Sequence, residues 1–230
     1  MEEIFQDEFV TWRHPTPVGI KVSEVFGMES KSGKLWLEMA KQIYSDAGDN
    51  FLEIRHYKNG APYIEGLAAR ISISHTSHFL VVAMLPKTPE LDLEKFNTRS
   101  AMGVDAERKD RNQVLKIREK FLNDEELAII SPDDTTANIM AWTAKEAAYK
   151  AAMTESLDFK NDLVIKKLPK LDLHPEQKGK TDLGEILFFK KEDKENEVYS
   201  LNLYSYESAC CVVTIAFSGK CARFGGREAI

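Results

Sequence analysis

Two short segments hold the residue types best suited to chemistry. The first is Gly103-Val104-Asp105-Ala106-Glu107. On an extended strand, side chains two apart share a face, so Asp105 and Glu107 point the same way. Neighbouring carboxylates repel unless positive charge lies between them, and a hard cation such as magnesium takes oxygen ligands of this kind. The second is Trp142-Thr143-Ala144-Lys145-Glu146-Ala147-Ala148-Tyr149-Lys150. Trp142, Glu146 and Lys150 recur at i, i+4 and i+8, along one face of a helix. Glu146 would add a third carboxylate to a metal site, and Lys150 would reach a phosphate. Each segment also has a plainer reading: solvated acids at a strand end, and an ordinary surface Glu-Lys pair.

The elements that must position these residues follow from periodicity. A strand over Ala101–Glu107 carries the first segment, and an Ala-rich helix from about Thr136 to Met153 carries the second, with strong intrinsic propensity. Between them, helices are expected over Val114–Phe121 and from Asp124 to Ile130, before the break at Pro132-Asp133-Asp134. Upstream, Leu35, Trp36, Met39, Ala40 and Ile43 mark a helix over Lys34–Tyr44. Asn59-Gly60 signals a turn, and Arg70–His75 alternates like a strand. Phe79–Leu85 is an apolar run of strand length, and Pro86–Ser100 reads as a connection. Downstream, strands are expected over Val164–Leu168, Glu185–Lys190, Tyr199–Tyr204 and Cys210–Phe217.

The halves resemble each other. Ser74-His75-Thr76-Ser77 leading to Val81-Val82 matches Ser205-Tyr206-Glu207-Ser208 leading to Val212-Val213, at one constant offset. Each half also places a helix with a single tryptophan, Trp36 or Trp142, ahead of its strands. This favours two similar α/β lobes: residues 1–99, residues 100–217, and a tail over 218–230.

Composition narrows the function. The 230 residues are 43% hydrophobic and 30% charged, ordinary for a globular chain. A net charge of −6 argues against a nucleic-acid partner, whose binding rests on neutralised phosphates. No apolar run reaches membrane-helix length, and the acidic start MEEIFQDEFV lacks a secretory pattern, so a cytoplasmic protein is expected. Cys210, Cys211 and Cys221 form no C-x-x-C pair, which points to reduced, buried thiols and not to zinc. Lys109, Arg111, Lys116, Arg118 and Lys120 make a positive island on an acidic chain, although a solvated helix face is the commoner meaning of such a run.

Taken together, G-V-D-x-E followed by W-T-x-K-E-A-x-x-K resembles the signature of the 4′-phosphopantetheinyl transferases. Phe121-Leu122-Asn123-Asp124-Glu125-Glu126 looks like the family's intervening segment. Ile71-Ser72-Ile73-Ser74-His75-Thr76 is similar to the strand and turn that precede the motifs in the longer, surfactin-type members. Asn59-Gly60-Ala61-Pro62-Tyr63 is similar to the glycine-lysine-proline turn further upstream. The resemblance spans about residues 30 to 155. It implies an α/β (α+β) fold of two lobes related by pseudo-twofold symmetry, each a small sheet packed on a long helix, in a monomer.

The resemblance also implies a reaction. The phosphopantetheine arm of coenzyme A passes to a serine of an apo acyl or peptidyl carrier protein, with release of 3′,5′-ADP. Magnesium, or manganese, would be held by Asp105, Glu107 and Glu146. Glu146 would act as the base, with Glu107 as its rival. Lys150, and after it Lys145, would contact phosphate, and His75 and Ser74 would bind coenzyme A. Two departures concern the nucleotide end. Ala61 stands where the family carries lysine, and Lys41 where it often carries arginine, which grips phosphate bidentately as lysine does not. Lys58, Lys31 and Lys34 are candidates to compensate. A non-catalytic coenzyme A-binding paralogue and a magnesium-dependent hydrolase are the alternatives. Fatty acid, polyketide and nonribosomal peptide carriers are all open.

Overall fold

Alternating or unbroken apolar runs make most of the strands, and whether a run alternates depends on how many of its faces are covered. The computed structural model of the chain describes residues 12–15, 20–26, 54–64, 69–77, 79–86, 101–154, 156–173, 182–191, 196–208 and 210–218. A four-stranded antiparallel sheet has the order β1 (Trp12–Pro15), β2 (Lys21–Phe26), β6 (Phe79–Pro86), β5 (Ala69–His75). A five-stranded antiparallel sheet has the order β7 (Met102–Arg108), β11 (Cys211–Ser218), β10 (Asn196–Ser208), β9 (Gly184–Lys191), β8 (Leu163–Lys167). A separate hairpin joins β3 (Ile54–His56) to β4 (Pro62–Ile64). In both larger sheets a first strand lies beside the second arm of a hairpin: β2 on β6 with β5 beyond, and β7 on β11 with β10 beyond.

Three helices fall between β7 and β8: α1 (Gln113–Phe121), α2 (Asp124–Ile129) and α3 (Thr135–Ala152). Asp134 caps α3 by accepting a hydrogen bond from the Ala137 amide at 2.9 Å. The helix ends at Met153, whose φ of 49° is a left-handed conformation that favours glycine.

The five-stranded sheet is covered on both sides, which explains why every residue of β11 is buried. Val212 and Ala216 face the core shared with α3, whereas Val213, Ile215 and Phe217 face the core shared with the other sheet. From the four-stranded sheet, Val22, Phe79, Val81, Ala83 and Leu85 complete that second core.

Strands β5 to β11 and the three helices lie within a few residues of their expected ranges, except that β10 runs well beyond Tyr199–Tyr204 at both ends. Strands β1 and β2 had no sequence signal. The polar residue in the middle of β2, Glu24, is buried because Tyr206 and Ser208, far along the chain, donate hydrogen bonds to its carboxylate. The expected helix over Lys34–Tyr44, most of the 86–100 connection and the 218–230 tail lie outside the described residues. Cys211 is buried, Cys210 is partly buried, and both are free thiols.

Strand β7 approaches α3 unusually closely. A Cβ built on Gly103 would lie 2.1 Å from the Ala147 carbonyl oxygen and 2.6 Å from the Ala151 nitrogen. Both clashes are with helix backbone, which cannot turn aside. Replacing Gly103 by alanine should therefore cost about 3 kcal/mol or more in urea unfolding. A loss within experimental error would show that this approach is not a constraint.

Candidate active site

The contact at Gly103 sets the carboxylates of β7 against the last turns of α3. Asp105 and Glu107 are both buried, at 7% and 5% exposure. The Lys150 ammonium donates to Asp105 Oδ1 at 2.7 Å and to the Val104 carbonyl at 3.0 Å. Lys150 lies in the final turn of α3, where a positive charge also suits the helix dipole. The Arg111 guanidinium donates to Glu107 Oε2, and the Arg108 amide donates to Glu107 Oε1 at 2.9 Å. Burial, then the charge of Asp105, pushes the Glu146 carboxyl up to about 6; Lys150 and Arg111 oppose the shift, and Glu107 adds to it. The structure thus brings Asp105, Glu107, Glu146 and Lys150 into one electrostatic neighbourhood.

The expected metal cluster is not preformed. Among the described residues, no three acidic, histidine or cysteine side chains converge as a metal would require. Two carboxylates on one face of β7 repel, and each is satisfied by a protein cation instead, Asp105 by Lys150 and Glu107 by Arg111. The donor set nevertheless fits magnesium chemically, because Asp105, Glu107 and Glu146 offer only hard oxygen atoms. Burial is the main reason the Glu146 carboxyl is raised, and the nearby charge of Asp105 adds to it.

Lys150 also lines a cleft of about 450 Å³. Its walls come from the β3–β4 hairpin, from β5 and from the end of α3, and include His56, Tyr57, Tyr63, Arg70, His75 and Lys150. The Asn59-Gly60 turn shapes one wall: Gly60 has φ +80°, and the Asn59 side-chain amide donates to the Met153 carbonyl at 2.9 Å. Tyr57 and Tyr63 stack with ring centres 4.4 Å apart. His75 is exposed and lines the cleft, as does Ala61. Lys58 is exposed on the same turn. Lys31, Lys34, Lys41 and His78 lie outside the described residues.

Other residues singled out in the sequence lie in different surroundings. Ser74 does not face the cleft as a ligand contact; it is 6% exposed, and its hydroxyl donates to Asp105 Oδ1 at 2.7 Å. Lys145, expected near phosphate, is fully buried and donates to Glu126 Oε2 at 2.6 Å and to the Phe121 and Phe159 carbonyls at 2.6 and 2.8 Å. Burial lowers its pKa, against the pull of Glu126. Trp142 packs on Phe121 and Phe159. Within the basic island, Arg118 is bound to Asn138 and to the Ile130 carbonyl, Lys109 to Glu207 and Arg111 to Glu107, while Lys116 and Lys120 are exposed, as is Arg111. Sequence reasoning missed His56 and Arg70; only their neighbours Asn59-Gly60 and the β5 alternation gave a signal.

Residues 101–211 match the family model of the 4′-phosphopantetheinyl transferase superfamily. That match supports a transferase acting on the phosphopantetheinyl group, and it takes in Asp105, Glu107, Glu146 and Lys150 together. A comparison with curated proteins gives no match. Among the described residues, no helix is long and apolar enough to cross a membrane.

Two stability measurements test this electrostatic picture. In the unfolded chain the Glu146 carboxyl titrates near 4.5, and in the metal-free folded protein near 6. Because the folded value is raised, the folded state holds the proton longer, and stability falls as pH rises through that window. Glu146→Gln should therefore gain roughly 1 kcal/mol over the parent at pH 8 in chelator, after allowance for solvent screening, and little at pH 4. An equal gain at both pH values would rule out the charge effect. Lys145→Met should cost about 3–5 kcal/mol, because Glu126 is left buried without its partner. A near-neutral result would contradict the structural role of Lys145.

Proposed function

We propose that the chain transfers the 4′-phosphopantetheine arm of coenzyme A to a serine of an apo acyl or peptidyl carrier protein, as a two-lobed monomer of the surfactin type. The observation that carries this reading is the meeting of Asp105, Glu107, Glu146 and Lys150, with Lys150 also lining a cleft, within the segment that matches the superfamily. The parallel strand orders of the two sheets favour a fused pair of lobes.

The carrier serine oxygen attacks the β-phosphorus of coenzyme A, and the bond to the bridging pyrophosphate oxygen breaks. The proton leaves the serine hydroxyl for Glu146, directly or through a water, with Glu107 as the alternative acceptor. The leaving group is 3′,5′-ADP. Magnesium or manganese on Asp105, Glu107 and Glu146 would neutralise the pyrophosphate and the charge gathering on that leaving group. Lys150 would turn from Asp105 toward a phosphate oxygen, and His75, exposed in the cleft, would donate to another. Lys58 beside the cleft, with Lys31, Lys34 and Lys41, would answer the 3′-phosphate in place of the lysine replaced by Ala61. Most of the rate advance then comes from positioning and charge neutralisation.

The direct test incubates the protein with coenzyme A, magnesium and an apo acyl carrier protein, and reads the carrier mass. Gain of the phosphopantetheine mass with release of 3′,5′-ADP is expected, and chelator should abolish it. Free phosphopantetheine in solution would instead indicate a hydrolase, and coenzyme A binding without transfer to any carrier would indicate a binding paralogue. Charge reversal at the exposed Lys116 and Lys120 should raise KM for the carrier about tenfold and leave KM for coenzyme A unchanged. Equal losses in both would remove this surface from carrier docking.

A further inference from the structure

Strands β5 and β7 are each an edge strand of their own sheet, and edge strands carry outward backbone groups that need partners. They meet without pairing as strands. The Val104 amide donates to Ser72 Oγ at 3.0 Å, and the Ala106 amide donates to Ser74 Oγ at 3.2 Å. Residues two apart on β7 thus meet hydroxyls two apart on β5, so the period of one strand matches that of the other. Both serines are buried, at 4% and 6% exposure.

The two hydroxyls differ in one respect. Ser74 has its proton left to give after accepting from Ala106, and it gives it to Asp105 Oδ1 at 2.7 Å. Lys150 donates to the same oxygen, also at 2.7 Å. All the bonds described for Asp105 therefore fall on Oδ1, and the carboxylate plane is fixed from two sides. Carboxylates that bind metals are commonly oriented by hydrogen bonds of this kind to one oxygen. If Lys150 turns to a phosphate, Ser74 is the bond that continues to hold Asp105.

Resting on the functional reading above, we propose that Ser74 is a positioning residue for the Asp105 carboxylate, orienting it toward a divalent cation, and that Ser72 makes only the structural half of the same seam. Ser74 then acts through Asp105 and does not itself bind coenzyme A.

Binding measurements without carrier test this. Manganese binding is followed by electron paramagnetic resonance in the presence of coenzyme A, and coenzyme A binding by calorimetry in chelator. Ser74→Ala should weaken manganese binding about tenfold or more and leave metal-free coenzyme A affinity within about twofold. Ser74→Thr, which keeps the hydroxyl, should restore manganese binding. Ser72→Ala should lower the melting temperature while leaving manganese affinity unchanged. Loss of metal-free coenzyme A affinity in Ser74→Ala, or unchanged manganese affinity, would overturn the proposal. Equal manganese loss in Ser72→Ala would overturn it too, by reducing both serines to general packing. If Ser74→Ala does not fold, the comparison of Ser74→Thr with Ser74→Cys decides, since only the threonine keeps a strong donor. Should the parent protein bind no coenzyme A at all, the functional reading fails and not the seam.

Discussion

Backbone lies against backbone where β7 crosses α3, and the candidate site depends on that contact. Gly103 has no side chain, and the facing turns of α3 carry Ala144, Ala147, Ala148 and Ala151, all fully buried. Small residues on both surfaces remove the layer of side chains that normally separates a strand from a helix. Two consequences follow from the geometry. Asp105, two residues beyond Gly103, comes within reach of Lys150, whose Cβ would itself lie 3.0 Å from a Cβ on Gly103. Glu146, one turn earlier, is brought into the field of both β7 acids. A larger residue at 103 would move all of these distances together.

Charge balance is the second theme. Three carboxylates share a partly dehydrated region with two cations, Lys150 and Arg111. Asp105 and Glu107 take those cations, and the Glu146 carboxyl is raised first by burial and then by the charge of Asp105. The neighbouring Lys145–Glu126 pair is handled oppositely. There all three ammonium protons and both carboxylate oxygens are engaged: Glu126 also accepts from the Asn123 and Ile165 amides at 2.8 and 2.7 Å. That pair ties α2, α3 and β8 together and so fixes the rotation of α3. Adjacent residues of one motif therefore divide the labour: Lys145 anchors the helix, and Glu146 faces the β7 acids.

Much of this was legible in the sequence because the relevant signals are local. Periodicity located β5, β6, β7 and α3, and motif spacing selected four residues that the fold brings together. What escaped was set by distant contacts. Nothing local distinguishes Lys145 from Lys150, since both are lysines on one amphipathic helix; the buried Glu126 and two carbonyls decide which turns inward. Ser74 sits beside an exposed histidine in sequence, yet strand alternation sends its hydroxyl to the opposite side, onto β7. The basic island looked uniform along the chain, but Lys109 and Arg111 are paired with Glu207 and Glu107, and Arg118 is held by the neutral acceptors of Asn138 and Ile130. His56 and Arg70 join the cleft only through packing between segments.

The buried carboxylate of Glu24 also bears on how the chain reaches this state. Its two hydroxyl donors are 182 and 184 residues away. A chain made from its N-terminus exposes β2 long before Tyr206 and Ser208 exist, and until they arrive that acid has water as its partner. The inner face of the first sheet, with Val22, Phe79 and Val81, must likewise wait for Tyr204, Val213 and Ile215. The β7–α3 region, by contrast, joins segments close in sequence and can assemble early. Long-range closure of this kind slows folding and leaves edges exposed during synthesis. The first strands to emerge are thus the last to be sealed, and the interval before β10 and β11 dock is when this chain is most open to aggregation or to chaperones.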